Sequence, residues 1–260
     1  MLNNSISYTY RKMHLRWTGR CTISNNIQSY FIPFTIHKQS KRRFYTKRLL
    51  AEQRIGPHNE DILSTLVASL LGEGSAEKRI HATRFHIHTE SPNMEYIHWF
   101  HKFFAEKGYC SYEKVIPKTH IGKNGKIYYS YKFRSWSFSS LNWLYDLFYN
   151  KKKKRIPKTI SEFLTPRALT IWLIHGGKIS GNGVKISTES FSYQDIVILQ
   201  TGLKKNYSLN STIQRHKDKW IISFSLNQLP ILSKIVKNYM IPSIYHKLNI
   251  TNQHTTMRHL

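Results

Sequence analysis

The chain has 260 residues, 40% apolar and 13% aromatic, enough for one large domain or two small ones with a sizeable core. Lys and Arg number 40 against 14 Asp and Glu, a formal net charge of +26, so the favoured partner is a polyanion, with nucleic acid ahead of a membrane surface. Only Cys21 and Cys110 occur, too few for a disulfide framework or a cysteine-built zinc site. No apolar run approaches the ~20 residues that span a bilayer, and the 14 histidines show no convincing metal-ligand spacing.

Residues 1–51 contain no acid and many bases, and they lack a periodic apolar pattern. They read equally as an organelle transit peptide or as an arm that orders on nucleic acid. Lys41, Arg42 and Arg43 stand beside Phe44 and Tyr45, joining charge for phosphates to aromatic faces for unstacked bases; a solvated basic linker has the same composition.

Asn59-Glu60-Asp61 offers a choice of N-caps to an apolar run, Leu66 to Gly74, which reads as a buried helix stopped by glycine. Ala68 and Gly72 share one face of it and admit a close helix neighbour. Thr83 to Thr89 alternates Arg84, His86 and His88 with Phe85 and Ile87, the period of a strand with one polar face. Asn93 to Lys107 predicts a helix with a broad apolar surface, ending at Gly108.

Gly122 to Lys126 is a turn, and Tyr128 to Ser135 alternates again, with Ser130, Lys132 and Arg134 opposite Tyr129, Tyr131 and Phe133. A helix is expected over Ser139 to Tyr149. Lys151 to Arg155, closed by Pro157, reads as a linker, either a solvated basic loop or a phosphate contact.

The order then recurs. Thr165-Pro166 caps a second apolar run, Leu169 to Gly177. Lys178 to Gly183 is expected to be a turn, and Val184 to Thr188 alternates Lys185 and Ser187 with Val184 and Ile186. A helix follows over Tyr193 to Tyr207. Ser211 to Ser225 reads as a hairpin turning near Lys217-Asp218-Lys219, with Trp220, Ile222 and Phe224 on the apolar side and Lys219, Ser223 and Ser225 on the other. Leu229 to Met240 is helical, ended by Ile241-Pro242-Ser243.

The paired runs Leu66 to Gly74 and Leu169 to Gly177 resemble the signature helices of the LAGLIDADG homing endonuclease and maturase family. Leu50 to Asp61 is similar to the stretch that precedes the first helix in mitochondrial intron-encoded members. Phe163 to Ser192 and Trp220 to Leu248 look like the family's second half, so the resemblance covers about residues 50–248.

The resemblance implies an α+β fold with two pseudo-twofold αββαββα halves and a saddle-shaped antiparallel sheet facing nucleic acid. The corresponding division is an extension at 1–51, a first half at 52–154, a second at 155–250 and a tail at 251–260. On that sheet the polar faces would carry Arg84, His86, His88, Ser130, Lys132, Arg134, Lys185, Ser187, Lys219 and Ser223, with no acid among the strands before Glu189.

In the family, the acid just before the terminal glycine of each signature helix binds a divalent metal. Glu73 occupies that place in the first helix and Gly176 in the second. Metal-assisted phosphodiester cleavage needs carboxylates to hold the ions. His175, one residue earlier, is a poor substitute toward magnesium, and the spacing of Glu189 and Asp195 does not bring them to the helix end.

The expectation is therefore a binding protein more than an enzyme. It would be a cleavage-deficient, pseudo-dimeric monomer of the mitochondrial matrix that binds structured RNA as a group I intron maturase-like factor or within a ribonucleoprotein such as the mitochondrial ribosome. Binding would need no cofactor, with Mg2+ relevant only to residual nicking through Glu73. The rival is a DNA homing endonuclease with an atypical metal site.

Overall fold

The computed structural model describes residues 49–240 apart from Ile55, Pro57, Pro92, Asn93, Lys114, Val115 and Lys123. Lys41, Arg42, Arg43, Ile241 to Leu248 and the tail lie outside the described residues.

Helix α1 (Glu60–Leu71) starts at Asn59, whose side chain accepts from the Ile62 N–H at 3.0 Å. Glu60 and Asp61 place negative charge in the first turn, where the helix dipole favours it. The helix stops as Gly72 N–H bonds Ala68 O and Gly74 N–H bonds Ser69 O. A Cβ on Gly74 would lie 2.6 Å from the Ser69 carbonyl oxygen, so this turn requires glycine.

The chain continues through β1 (Ser75–Lys78), β2 (Thr83–Ser91), α2 (Met94–Glu106), β3 (Lys118–Ile121), β4 (Ile127–Arg134) and α3 (Asn142–Phe148). The four strands form one sheet in the order β1-β2-β4-β3, antiparallel throughout. Along β2, Thr83, Phe85, Ile87, Thr89 and Ser91 are buried while the residues between them face outward, the alternation expected of a sheet with one covered side.

A two-residue turn then joins β5 (Tyr149–Asn150) to β6 (Lys153–Lys154), and a short helix α4 (Ile160–Phe163) leads to the second half. That half comprises α5 (Pro166–Gly176), β7 (Gly177–Ser180), β8 (Gly183–Ser187), α6 (Tyr193–Tyr207), β9 (Thr212–His216), β10 (Lys219–Phe224) and α7 (Leu229–Val236). Its sheet has the order β7-β8-β10-β9, so both halves read αββαββα. Thr165 caps α5 by accepting from the Ala168 N–H, with Pro166 in the first turn.

The duplication extends to residue level. Ile87 pairs with Phe133 and Ile186 with Ile222, so His86-Ile87-His88-Thr89-Glu90-Ser91 aligns with Lys185-Ile186-Ser187-Thr188-Glu189-Ser190. Thr89 and Thr188 are both buried.

Helices α1 and α5 pack on each other at the centre, the most extensive helix–helix contact among the described residues. Leu66, Leu70, Leu169, Trp172 and Leu173 join one apolar core that runs through both halves. Each such side chain contributes about 1.5–3 kcal/mol by leaving water. Polar links tie the seam: Thr165 Oγ1 donates to Ser64 Oγ at 2.7 Å, and Arg167 Nε lies 2.8 Å from Asp61 Oδ1.

Several expectations need correction. Ser75–Lys78, a stretch with no expectation attached, is a strand, and Lys178 to Gly183, expected to be a turn, also supplies the end of β7 and the first residue of β8. Four residues are too few to show a period, so neither strand stood out. Tyr149 leaves the helix for β5, and β2 runs on to Ser91, bringing Glu90 onto the polar side. The linker Lys151 to Arg155 begins with a tight turn in which Lys151 and Lys152 take positive φ, 46° and 66°. Non-glycine residues held there cost on the order of 1–3 kcal/mol each.

Candidate nucleic-acid interface and the helix ends beneath it

The first sheet gathers its expected residues in one place. His86 pairs across with Arg134, His88 with Lys132 and Glu90 with Ser130, and Arg84 precedes them on β2. Strand β3 adds Lys118 opposite Ser130 and His120 opposite Tyr128 on the same side. Sequence reasoning missed His120 and Tyr128; β3 is too short to show its alternation, and Tyr128 opens the alternating stretch of β4 without being assigned to either of its faces.

On the second sheet Lys185 pairs with Ser223, and Ser187 with Ile221. Lys178 lies beside Lys185 on β7. Lys219 sits at the far end of β10, where its Nζ holds Glu189 at 2.8 Å. Ser225 falls just past β10, at the start of a 3-10 turn.

The first face is not free of acid, contrary to expectation. Register places Glu77 of β1 opposite Arg84. Its Oε2 lies 2.7 Å from Arg84 Nη2 and 3.1 Å from His86 Nε2, and its Oε1 lies 3.1 Å from Arg79 Nε. The hydrogen bonds from Arg84 and His86 hold this carboxyl at about 2, so it stays ionised. Glu90 in turn lies 3.3 Å from His120 Nε2. The acids orient bases rather than standing alone.

Below this face are the ends of the two central helices. Glu73 follows α1 directly, with Oε2 2.6 Å from His88 Nδ1. That hydrogen bond lowers the Glu73 carboxyl below its usual range; partial burial opposes it, and the charges of His88, His175 and Lys132 reinforce it. Glu73, Ser75, His86, His88, Lys132 and Arg134 border a cavity of about 350 Å3.

Lys154 closes the cluster from behind. Its Nζ donates to the carbonyls of Leu70, Gly72 and Gly74 at 2.8, 3.1 and 2.7 Å, satisfying oxygens that the end of α1 leaves open. Burial pushes this ammonium down to about 8, with the Glu73 charge resisting. Within the supposed linker this lysine is therefore structural, while Lys151, Lys152, Lys153 and Arg155 remain exposed.

The equivalent place in the second half is stripped. Gly176 stands for Glu73, Ser187 for His88 and Ile221 for Lys132, by the register that aligns the two sheets. His175 does not replace the carboxylate: its Nε2 lies 2.8 Å from the hydroxyl of the fully buried Tyr96, and its ring packs edge-on against Phe100. Asp195 belongs to the capping box of α6 with Ser192 and accepts from the Ile156 N–H at 3.0 Å.

Magnesium requires several hard oxygen ligands. At the helix ends Glu73 is the one carboxylate, its neighbours are His88, Lys132 and Lys154, and among the described residues no group of three or more His, Cys, Asp or Glu could hold an ion. This donor set does not fit a divalent cation, because the groups around the carboxylate are themselves cationic or nitrogen donors.

The LAGLIDADG DNA endonuclease family model matches residues 63–232. The chain is 38% identical over 205 residues to the cytochrome b mRNA maturase bI2 of Saccharomyces cerevisiae, covering 75% of this chain and 48% of that protein. It thus spans about half the length of that relative. The maturase bI2 of Debaryomyces hansenii is 34% identical over 196 residues, 74% of this chain and 75% of that one. The solved homing endonuclease I-WcaI bound to its DNA recognition sequence superposes with a TM-score of 0.64 at 21% identity, over 76% of this chain and 90% of that one, a likeness of fold. With the duplicated αββαββα halves, the matched domain and these relatives together, the chain belongs to the LAGLIDADG DNA endonuclease family.

Proposed function

We propose that this protein binds structured RNA in mitochondria as a group I intron maturase-like factor and does not cut both strands of DNA. The observation that carries the proposal is the asymmetry at the helix ends. Glu73, His88 and Lys132 on one side face Gly176, Ser187 and Ile221 on the other. The two yeast relatives, both cytochrome b mRNA maturases, support the RNA reading.

Binding works through charge and register. Lys132, Arg134 and Lys185 meet phosphates and release condensed counterions, which makes affinity fall steeply with salt. Arg84 and His86, fixed by Glu77, offer directed donors to base edges. Neither contact needs a metal, so RNA binding proceeds without a cofactor. The chain acts as a pseudo-dimeric monomer, with protein neighbours where it enters a larger ribonucleoprotein.

The alternative, a DNA homing endonuclease, draws on the retained Glu73 and on the fold shared with I-WcaI. Two assays on the full chain separate them. In the first, a precursor RNA carrying its group I intron splices faster with the protein at limiting magnesium. In the second, a plasmid bearing the intronless junction stays circular with the protein and excess magnesium. Linear plasmid and unaltered splicing defeat the proposal.

A further inference from the structure

We infer that the β3–β4 hairpin carries a stacking platform for an unpaired nucleobase, built by His120 and Tyr128; this rests on the RNA-binding reading above and names the part of the RNA it grips. The two residues are directly paired across the hairpin, their ring planes 15° apart and centroids 5.7 Å apart. Such an offset-parallel arrangement is a favoured aromatic geometry. The pair stands on the same side of the sheet as Lys118, Ser130 and Lys132.

Each ring is held by a different device. His120 Nε2 lies 3.3 Å from Glu90 Oε1, and the imidazole is 46% exposed. Tyr128 lies over Gly122, where a Cβ would come 2.7 Å from its Cε2, so the glycine keeps a seat for the ring. Lys126 Nζ is 6.0 Å from the Tyr128 centroid, placing a cation beside the π-face.

The hairpin also projects. Strand β3 is the last strand of its sheet and exposed along its length. On its other side Ile121 and Ile127 face each other, 73% and 48% exposed, so that surface of the tip stays open among the described residues.

The ligand class follows from what these groups recognise. A paired duplex hides its base faces by stacking and presents only edges and phosphates. The exposed His120 ring, backed by the half-buried Tyr128 and flanked by Lys118 and Lys126, suits a base that has left its stack, with its neighbouring phosphates beside the ammonium groups. RNA loops and bulges supply such bases, whereas an intact DNA duplex does not.

The test uses the full chain and two probes, an RNA stem–loop with a randomised loop containing 2-aminopurine at one unpaired position and a fully paired RNA duplex of the same stem. The unsubstituted protein should prefer the stem–loop and quench the 2-aminopurine as the base stacks. His120→Ala combined with Tyr128→Ala should cost the stem–loop about 5- to 150-fold in affinity, the equivalent of about 1–3 kcal/mol for one stacked base, and leave duplex affinity within about twofold. Tyr128→Phe should keep the preference, because the stacking face survives.

Stem–loop binding that is unchanged by the double substitution overturns the platform while leaving the RNA reading intact. Absence of binding to either RNA overturns both. Equal losses on both probes also overturn it, since they would mark a phosphate contact rather than a base.

Discussion

Lys154 Nζ lies 2.7 Å from the carbonyl oxygen of Gly74, and with Leu70 and Gly72 it completes the C-terminal end of α1. A basic residue from the segment joining the two halves therefore finishes the central helix of the first. The strained turn at Lys151 and Lys152 delivers it there, so the cost of positive φ is offset by three charge-assisted hydrogen bonds.

Lys154→Met keeps most of the length of the side chain but leaves three partly buried carbonyls without its donor. Relief of the ammonium desolvation offsets part of that loss. The expected destabilisation is about 2–3 kcal/mol, read as a lower melting temperature or denaturant midpoint. A variant as stable as the parent would show that water serves these carbonyls equally well.

The same lysine sets a pH dependence. Its folded value of about 8 lies below the ordinary 10.5, so between these the unfolded chain binds a proton that the folded chain lacks. Stability therefore rises with pH in this window as far as Lys154 is concerned. Cys110 at about 11 and Tyr109 and Tyr207 at about 12 are raised by burial and work in the opposite direction, losing stability as pH climbs past their ordinary values. The comparison with Lys154→Met cancels them. Between pH ~7.5 and ~9.5 the parent should gain roughly 2 kcal/mol over the variant, measured by denaturant melts at fixed ionic strength. A constant gap would mean that the ammonium is not desolvated.

Glu77 makes a different kind of prediction because it lies on the binding face. It spends its charge on Arg79, Arg84 and His86, and it also repels phosphate. Glu77→Gln should raise affinity for arbitrary RNA duplexes and steepen the dependence of log affinity on log salt by about one ion, while narrowing the margin between preferred and arbitrary RNA. Salt titrations on two probes check it; an unchanged slope would mean that Arg84 does not reach phosphate even when released.

Legibility in the sequence divided along physical lines. Long elements with a sustained period stood out: α6 occupies Tyr193–Tyr207 as expected, Thr165 caps its helix as expected, and of the three N-caps open to α1 it is Asn59 that serves. The polar rows of β2 and β8 also stand where alternation placed them, because one side of each strand is buried, and β4 keeps the same alternation although only Phe133 of its other side is buried. Short strands were invisible, and with β1 went Glu77, the acid that organises Arg84 and His86. Lys154 was hidden for another reason: nothing local in a run of four lysines says which one finds a helix end. Only the three-dimensional return of the β5–β6 turn decides it.

Gly176 supplies the last prediction. A Cβ built there would meet Ile186 Cγ2 at 3.4 Å and no backbone atom closer than 3.6 Å, so a side chain is admissible. The helix ends touch, since a Cβ on Gly72 would lie 3.8 Å from His175 Cβ. Gly176→Asp therefore introduces a second carboxylate beside Glu73 at a modest cost of about 1 kcal/mol, mainly from placing an acid at a helix C-terminus. The parent should show no saturable Mn2+ binding by calorimetry and no melting shift with EDTA. The variant should gain an ion-dependent rise in melting temperature, yet still leave DNA uncut, because Glu73 stays bonded to His88 and two carboxylates alone fall short of the several oxygen ligands such an ion takes. Tight Mn2+ binding by the parent would show that Glu73 recruits ligands despite its bond to His88, and would reopen the metal chemistry of this side.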